Sequence, residues 1–121
     1  MSKKTFSHIL LMGRTSISGI ATTLVDTYQY LLTQGVEITV ESTAAELMAT
    51  QPPQQVADTD ALPATIDLII VIGGDGSLLN AAHIAEQHDL PVLGIHRGAL
   101  GFLTDIPPDA IEQIGPVLKG E

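Results

Sequence analysis

Asp67-Leu-Ile-Ile-Val-Ile-Gly-Gly-Asp-Gly-Ser-Leu-Leu-Asn-Ala-Ala82 runs a β-branched apolar segment straight into glycines and then into a helical pattern. Near-continuous Val, Ile and Leu is what a parallel strand buried on both faces requires. Glycines just past such a strand let the backbone approach a ligand closely, while the helix that follows aims its free N–H groups at an anion. This is the architecture of a turn that handles nucleotides. Asp75 is the odd residue in it, because a loop that only cradled phosphate would not carry a like charge among its glycines. Asp75 therefore accepts a hydroxyl proton, holds a bridging divalent cation, or caps the helix.

Outward from this segment, strand-like and helix-like patterns alternate. Residues 6–12 read as a first strand and Gly13-Arg14-Thr15-Ser16 as the turn beyond it. Ile17, Ile20, Ala21, Leu24, Tyr28, Leu31 and Leu32 fall on one helical face, and Gln34-Gly35 supplies the stop. Residues 36–40 form a second β-branched run. Thr43 with Glu46 makes a capping box for a short helix over Ala44, Leu47 and Met48, which Pro52-Pro53 ends. Residues 51–66 read as a polar surface connection, 68–72 as a third strand and 91–95 as a fourth. Between these last two lies a helix over 77–87 with Leu78, Ala81, Ala82 and Ala85 on its core face. A final helix is expected over 109–118, interrupted by Pro116. No internal repeat or low-complexity segment is visible.

With 121 residues, 45% of them apolar, the chain has room for one core and one domain. The alternation predicts an α/β fold, an open and mainly parallel sheet with helices on both faces. The carboxyl ends of the strands then share one edge. Gly13-Arg14, residues 73–77 and His96-Arg97-Gly98 all lie just past strand ends, where open α/β sheets bind ligands. Arg14 and Arg97 are two of only five cationic residues. Each can pair with a phosphate, a charge-assisted bond of about 1.5–3 kcal/mol, or stand as an exposed loop arginine.

Composition excludes other classes. Fourteen acidic residues against five basic ones give a formal charge of −9, which repels a polyanion and argues against nucleic acid as a partner. The absence of cysteine removes disulfides, cysteine-based metal sites and thiol catalysis. Lys3-Lys4 ahead of an apolar run does not make a signal peptide, because the run is short, contains Ser7 and His8, and ends at Gly13-Arg14 with no small-residue cleavage pattern. No segment approaches the ~20 apolar residues of a membrane span, so no membrane partner is expected. His83 and His88 have the wrong helical spacing for two ligands on one face, and His8 sits inside an apolar strand, so no protein-held metal site is expected. Asp109, Glu112 and Glu121 read as a solvated acidic face, and Tyr28 and Tyr30 as packing residues.

A second segment makes a family resemblance specific. Gly73-Gly74-Asp75-Gly76-Ser77, followed by Gly94-Ile95 and then by Gly98-Ala99-Leu100-Gly101-Phe102-Leu103-Thr104-Asp105, resembles the NAD kinases over nearly the whole chain. The first motif alone is weaker, since lipid and sphingoid kinases and phosphofructokinases share it. The second separates them, as does the lack of the glycine-rich turn that phosphofructokinases place after their first strand. The resemblance implies a Rossmann-like amino-terminal lobe of a two-domain, cytoplasmic, homo-oligomeric kinase that takes NAD and ATP. Asp75 matches the aspartate that accepts the proton of the adenosine ribose 2′-hydroxyl as that oxygen attacks the γ-phosphate. Gly74 and Gly76 match glycines beside the substrate, Asn80 a polar residue near the nucleotide, and Phe102 the phenylalanine that packs by the adenine. Ser77 replaces a common threonine and keeps the hydroxyl; Ser77, Arg97 and Arg14 are the candidate phosphate contacts.

The implied chemistry is coherent. A free aspartate of pKa ~3.9 is a poor base for an alcohol, so the proton moves late, once attack on phosphorus has acidified the hydroxyl. Positioning and charge neutralisation then supply most of the acceleration, with a divalent ion (Mg) carried in on ATP and held by phosphates and water. NAD kinases continue into a β-rich second domain whose Asn-Glu or Asn-Asp motif grips the nicotinamide nucleotide. Nothing in residues 1–121 matches it, so the chain reads as the lobe with the base but without the complete substrate site. The alternatives are a non-catalytic nucleotide-binding or assembly module of the same fold, or another kinase with this turn.

Overall fold

A computed structural model of the chain describes residues 6–13, 20–48, 55–58, 60–73, 75–96 and 105–106. For residues 20, 21, 75–78, 96, 105 and 106 that description is of the backbone only. The elements run β1 (His8–Gly13), α1 (Ile20–Thr33), β2 (Glu37–Glu41), α2 (Ser42–Glu46), β3 (Val56–Ala57), β4 (Leu68–Gly73), α3 (Asp75–His88), β5 (Val92–His96) and β6 (Asp105–Ile106). They build one sheet in the order β3-β2-β1-β4-β5-β6, and every pairing in it is parallel. This is the order in which two βαβ halves meet at β1 and β4, with the chain turning outward in opposite directions from that seam. The expected helix over 109–118 and the Pro52-Pro53 stop lie outside the described residues.

Burial on both faces follows from the period of two along each strand. Ile9 and Leu11 of β1, Leu68, Ile70 and Ile72 of β4, and Leu93 and Ile95 of β5 face one side with Ile38 and Val40 of β2. There they meet Leu24, Tyr28 and Leu31 of α1 and Ala44 of α2, with Met48 beyond it. Leu10, Met12, Ile69 and Val71 face the other side and meet Ala81, Ile84 and Ala85 of α3. A fully buried Leu or Ile contributes about 1.5–3 kcal/mol, so the uninterrupted apolar runs of β1 and β4 are the price of covering the sheet twice. At the opposite end of the seam the Asp67 carboxylate accepts the backbone N–H groups of Ser7 and His8 at 3.0 and 3.2 Å, tying the entry of β1 to that of β4.

Several expectations are corrected. Leu32 is half exposed at 50%, although the pattern placed it in the core, while Thr23 and Thr27 are buried. At about 100° per residue Leu32 lies about 80° to one side of Leu24, and Thr27 about 60° to the other, so the buried arc is turned toward the threonines. The box of Thr43 and Glu46 does not cap α2. Glu41 does, its carboxylate accepting from the N–H groups of Thr43 and Ala44 at 3.0 and 3.3 Å, because β2 runs directly into the helix. Residues 51–66, a surface connection by their polarity and prolines, hold a short strand: Val56 and Ala57 pair with Val40 and Glu41. Two residues are too few to show an alternating pattern. Val36 precedes β2 rather than joining it, and Phe6 packs on the core ahead of β1.

The helix ends have local causes. Gly35, with φ +74°, takes the left-handed position after α1, and its N–H reaches the Leu32 carbonyl at 3.2 Å. Asp89 does the same after α3 at φ 56°, with Leu90 N–H bonded to Ala85 O at 2.8 Å and Asp89 N–H to Glu86 O at 3.4 Å. That pair of bonds is a Schellman stop, and Leu90 folds back onto the α3 side of the core.

Among the described residues one buried side-chain polar atom is unsatisfied. The Thr27 hydroxyl is fully buried and has no hydrogen-bond partner. Thr27→Val replaces it with a methyl of similar shape, so the variant should be more stable by about 0.5–1.5 kcal/mol in denaturant melts. Equal or lower stability would show that the hydroxyl is satisfied in solution.

Candidate functional site

β4 is the central strand that delivers the glycine turn. It lies between β1 and β5, with Gly13 opposite Ile72 and Gly73 opposite His96. The carboxyl ends of three neighbouring strands are therefore level at one edge, as the sequence predicts for the segments at 13–14, 73–77 and 96–98. Gly73 closes β4 with φ +150°, a backbone conformation that side chains disfavour. The chain enters α3 at Asp75, so strand and helix are separated by Gly74 alone. Asp75, Gly76 and Ser77 form the first turn of α3, whose backbone N–H groups have no partner within the helix and whose dipole favours an anion. By its backbone Asp75 is the first residue of α3, directly after the N-cap position, where a negative charge complements the helix dipole.

The remaining expected site residues divide. Asn80 lies in α3 just beyond the first turn and is half-buried. Arg14, Gly74, Arg97 and Phe102 lie outside the described residues, as do residues 98–104 of the second motif. Its last residue, Asp105, returns to the sheet in β6 and pairs with Gly94. What sequence reasoning missed is Gly13, which it placed in a turn; the residue is buried inside β1. No pattern in the sequence signals how closely this glycine approaches Ile72 and Leu24.

The opposite edge carries a different kind of polar cluster. His8 is buried, and its ring nitrogens both meet hydroxyls: Nδ1 lies 2.7 Å from Thr65 Oγ1 and Nε2 lies 2.8 Å from Thr39 Oγ1. The Glu37 carboxylate fixes the direction of the chain of bonds. Gln55 Nε2 donates to Glu37 at 3.1 Å, so Gln55 Oε1 accepts the Thr39 hydroxyl at 3.2 Å, and Thr39 in turn accepts from His8 Nε2–H. Both ring nitrogens are engaged in structure. A cavity of about 180 Å³ lined by Leu62, Pro63, Ala64, Ile66, His88 and Leu90 also lies at this edge, where strands begin, away from the glycine turn. Among the described residues no cluster of three or more His, Asp or Glu could hold a metal ion. No helix among them is long and apolar enough to cross a membrane.

Comparison with known proteins agrees with the motif and the topology. Residues 9–120 match the family model described as the ATP-NAD kinase N-terminal domain. The chain is 48% identical over 120 residues to a protein of Coxiella burnetii named NAD kinase, covering 99% of this chain and 40% of that one. Proteins of the same name from Shewanella baltica and Acinetobacter baylyi are 44% and 42% identical, over 96% and 98% of this chain. Among solved structures, yeast NADH kinase complexed with NADH superimposes with a TM-score of 0.72 at 17% identity, covering 96% of this chain and 36% of that one. This likeness extends to the fold. The chain spans about 40% of the length of the Coxiella burnetii relative.

Proposed function

Because this chain belongs to the ATP-NAD kinase family, we propose that it is the amino-terminal lobe of an enzyme that transfers the γ-phosphoryl group of ATP to the adenosine ribose 2′-hydroxyl of NAD, giving NADP and ADP. The observation that carries this reading is the glycine turn with Asp75 at the junction of β4 and α3, on the edge it shares with the ends of β1 and β5. In the proposed reaction the 2′-oxygen forms a bond to the γ-phosphorus as the bond to the ADP oxygen breaks. Asp75 takes the hydroxyl proton late in that step. Gly74 and Gly76 admit the substrate to the backbone, Asn80 and Phe102 contact the nucleotide, and Ser77, Arg97 and Arg14 meet phosphates.

The divalent ion belongs to the substrate, Mg-ATP, and neutralises charge on its phosphates. Asp75 as a single carboxylate in the turn suits an ion held mainly by phosphate and water. The β-rich second domain of the family would complete the NAD site.

An assay separates this reading from a nucleotide-binding module without turnover. The full-length enzyme should form NADP from NAD and Mg-ATP, whereas the purified 121-residue chain should form none above background and bind nucleotide weakly at most. Full-length protein that binds nucleotide without forming NADP would support the module instead. Robust turnover by the 121-residue chain would remove the need for a second domain.

A further inference from the structure

We infer that Gly13 is a positioning residue for the turn that carries Asp75. The inference goes beyond the proposed activity and rests on it only where turnover is the readout. Gly13 ends β1, is buried, and stands opposite Ile72 in the parallel ladder. A glycine in a strand costs conformational entropy and gives up a packing side chain, so its presence needs a reason. Backbone conformation is not that reason, since the left-handed φ values belong to Gly35 and Gly73 and not to Gly13. Space is. A Cβ at position 13 would lie 3.3 Å from the Ile72 carbonyl oxygen and 3.3 Å from both terminal methyl carbons of Leu24.

These two obstacles differ in kind. The Leu24 methyls end a side chain, but that side chain is fully buried in the α1 face of the core and has little room to turn. The Ile72 oxygen is backbone, one residue before Gly73 and three before Asp75. A Cβ at position 13 is tighter than ordinary contact on both sides, so either the packed Leu24 or the end of β4 must give by a few tenths of an ångström, and β4 leads into the start of α3 with only Gly74 between them. Gly13 therefore sets how closely β1 lies beside the end of β4, the strand that presents the aspartate. It touches no substrate and acts through the strand beside it.

Gly13→Ala in the full-length enzyme tests this. Displacement by a few tenths of an ångström should lower kcat about tenfold while KM for NAD changes less than about twofold, because geometry at the reacting atoms is more sensitive than binding. Hydrogen exchange should quicken in residues 72–77 and stay unchanged in residues 20–33. Adding Leu24→Val, which shortens the side-chain obstacle and leaves the backbone one, should not restore kcat. Unchanged kcat, exchange altered only in α1, or full rescue by Leu24→Val would each overturn the inference. If the wild-type enzyme forms no NADP, the proposed function fails, and the exchange pattern still decides the role of Gly13.

Discussion

Asp75→Asn in the full-length enzyme should lower turnover by roughly 10²–10⁴ while nucleotide binding survives and stability moves by a few tenths of a kcal/mol to about one. Asparagine keeps a side chain that caps helices as well as aspartate does, and it has nearly the same shape. It loses the negative charge and the proton acceptor. If Asp75 takes the proton of the attacking hydroxyl, the substitution removes that step and leaves the first turn of α3 intact. Asp75→Ala should lose the activity and some stability as well, because alanine neither accepts a proton nor caps. A purely capping Asp75 produces the opposite pattern, with the asparagine variant close to wild type in rate and the alanine variant impaired through folding. Turnover and melting temperature measured on both variants separate the two, and an active Asp75→Asn enzyme removes the catalytic assignment.

Gly73→Ala should destabilise the fold by about 1–3 kcal/mol and lower turnover by about 10²-fold. The cause is conformational, since φ at this position is +150° and an L side chain is strained there whatever space surrounds it. The chain can relieve that strain only by rotating the backbone between the last pairing of β4 and the first turn of α3. That rotation redirects the turn. Melting of the variant measures the first effect and NADP formation the second. Wild-type stability with wild-type rate would mean that the turn adopts another path in solution. Gly13→Ala makes a useful contrast, because its expected defect is one of spacing and not of backbone conformation.

The strand, the glycine turn and the helix that build the candidate site were legible because their signal is local. A β-branched run, a pair of glycines, an aspartate and a helical pattern stand within sixteen consecutive residues, and each follows from the chemistry of its own neighbourhood. The misreadings occurred where neighbours in space outweighed neighbours in sequence. Leu32 and Thr27 have similar claims by helical spacing, and the sheet beneath α1 decided between them. Thr43 and Glu46 satisfy the pattern of a capping box, yet Glu41, held at the end of β2, reached the free N–H groups first. Val56 and Ala57 became a strand because β2 offered an unpaired edge.

By itself, then, the sequence determined the class of fold, the four main strands, the helices that cover them, and the turn at Asp75, since periodicity and glycine placement are properties of adjacent residues. Only the tertiary structure decided that β1 and β4 are neighbours at the seam of the sheet, that Gly13 lies against Ile72 and Leu24, and that Gly73 takes a conformation reserved for glycine. Strand order and close approach are set by which surfaces pack together, and residues far apart in the chain carry no mark of that until the chain has folded.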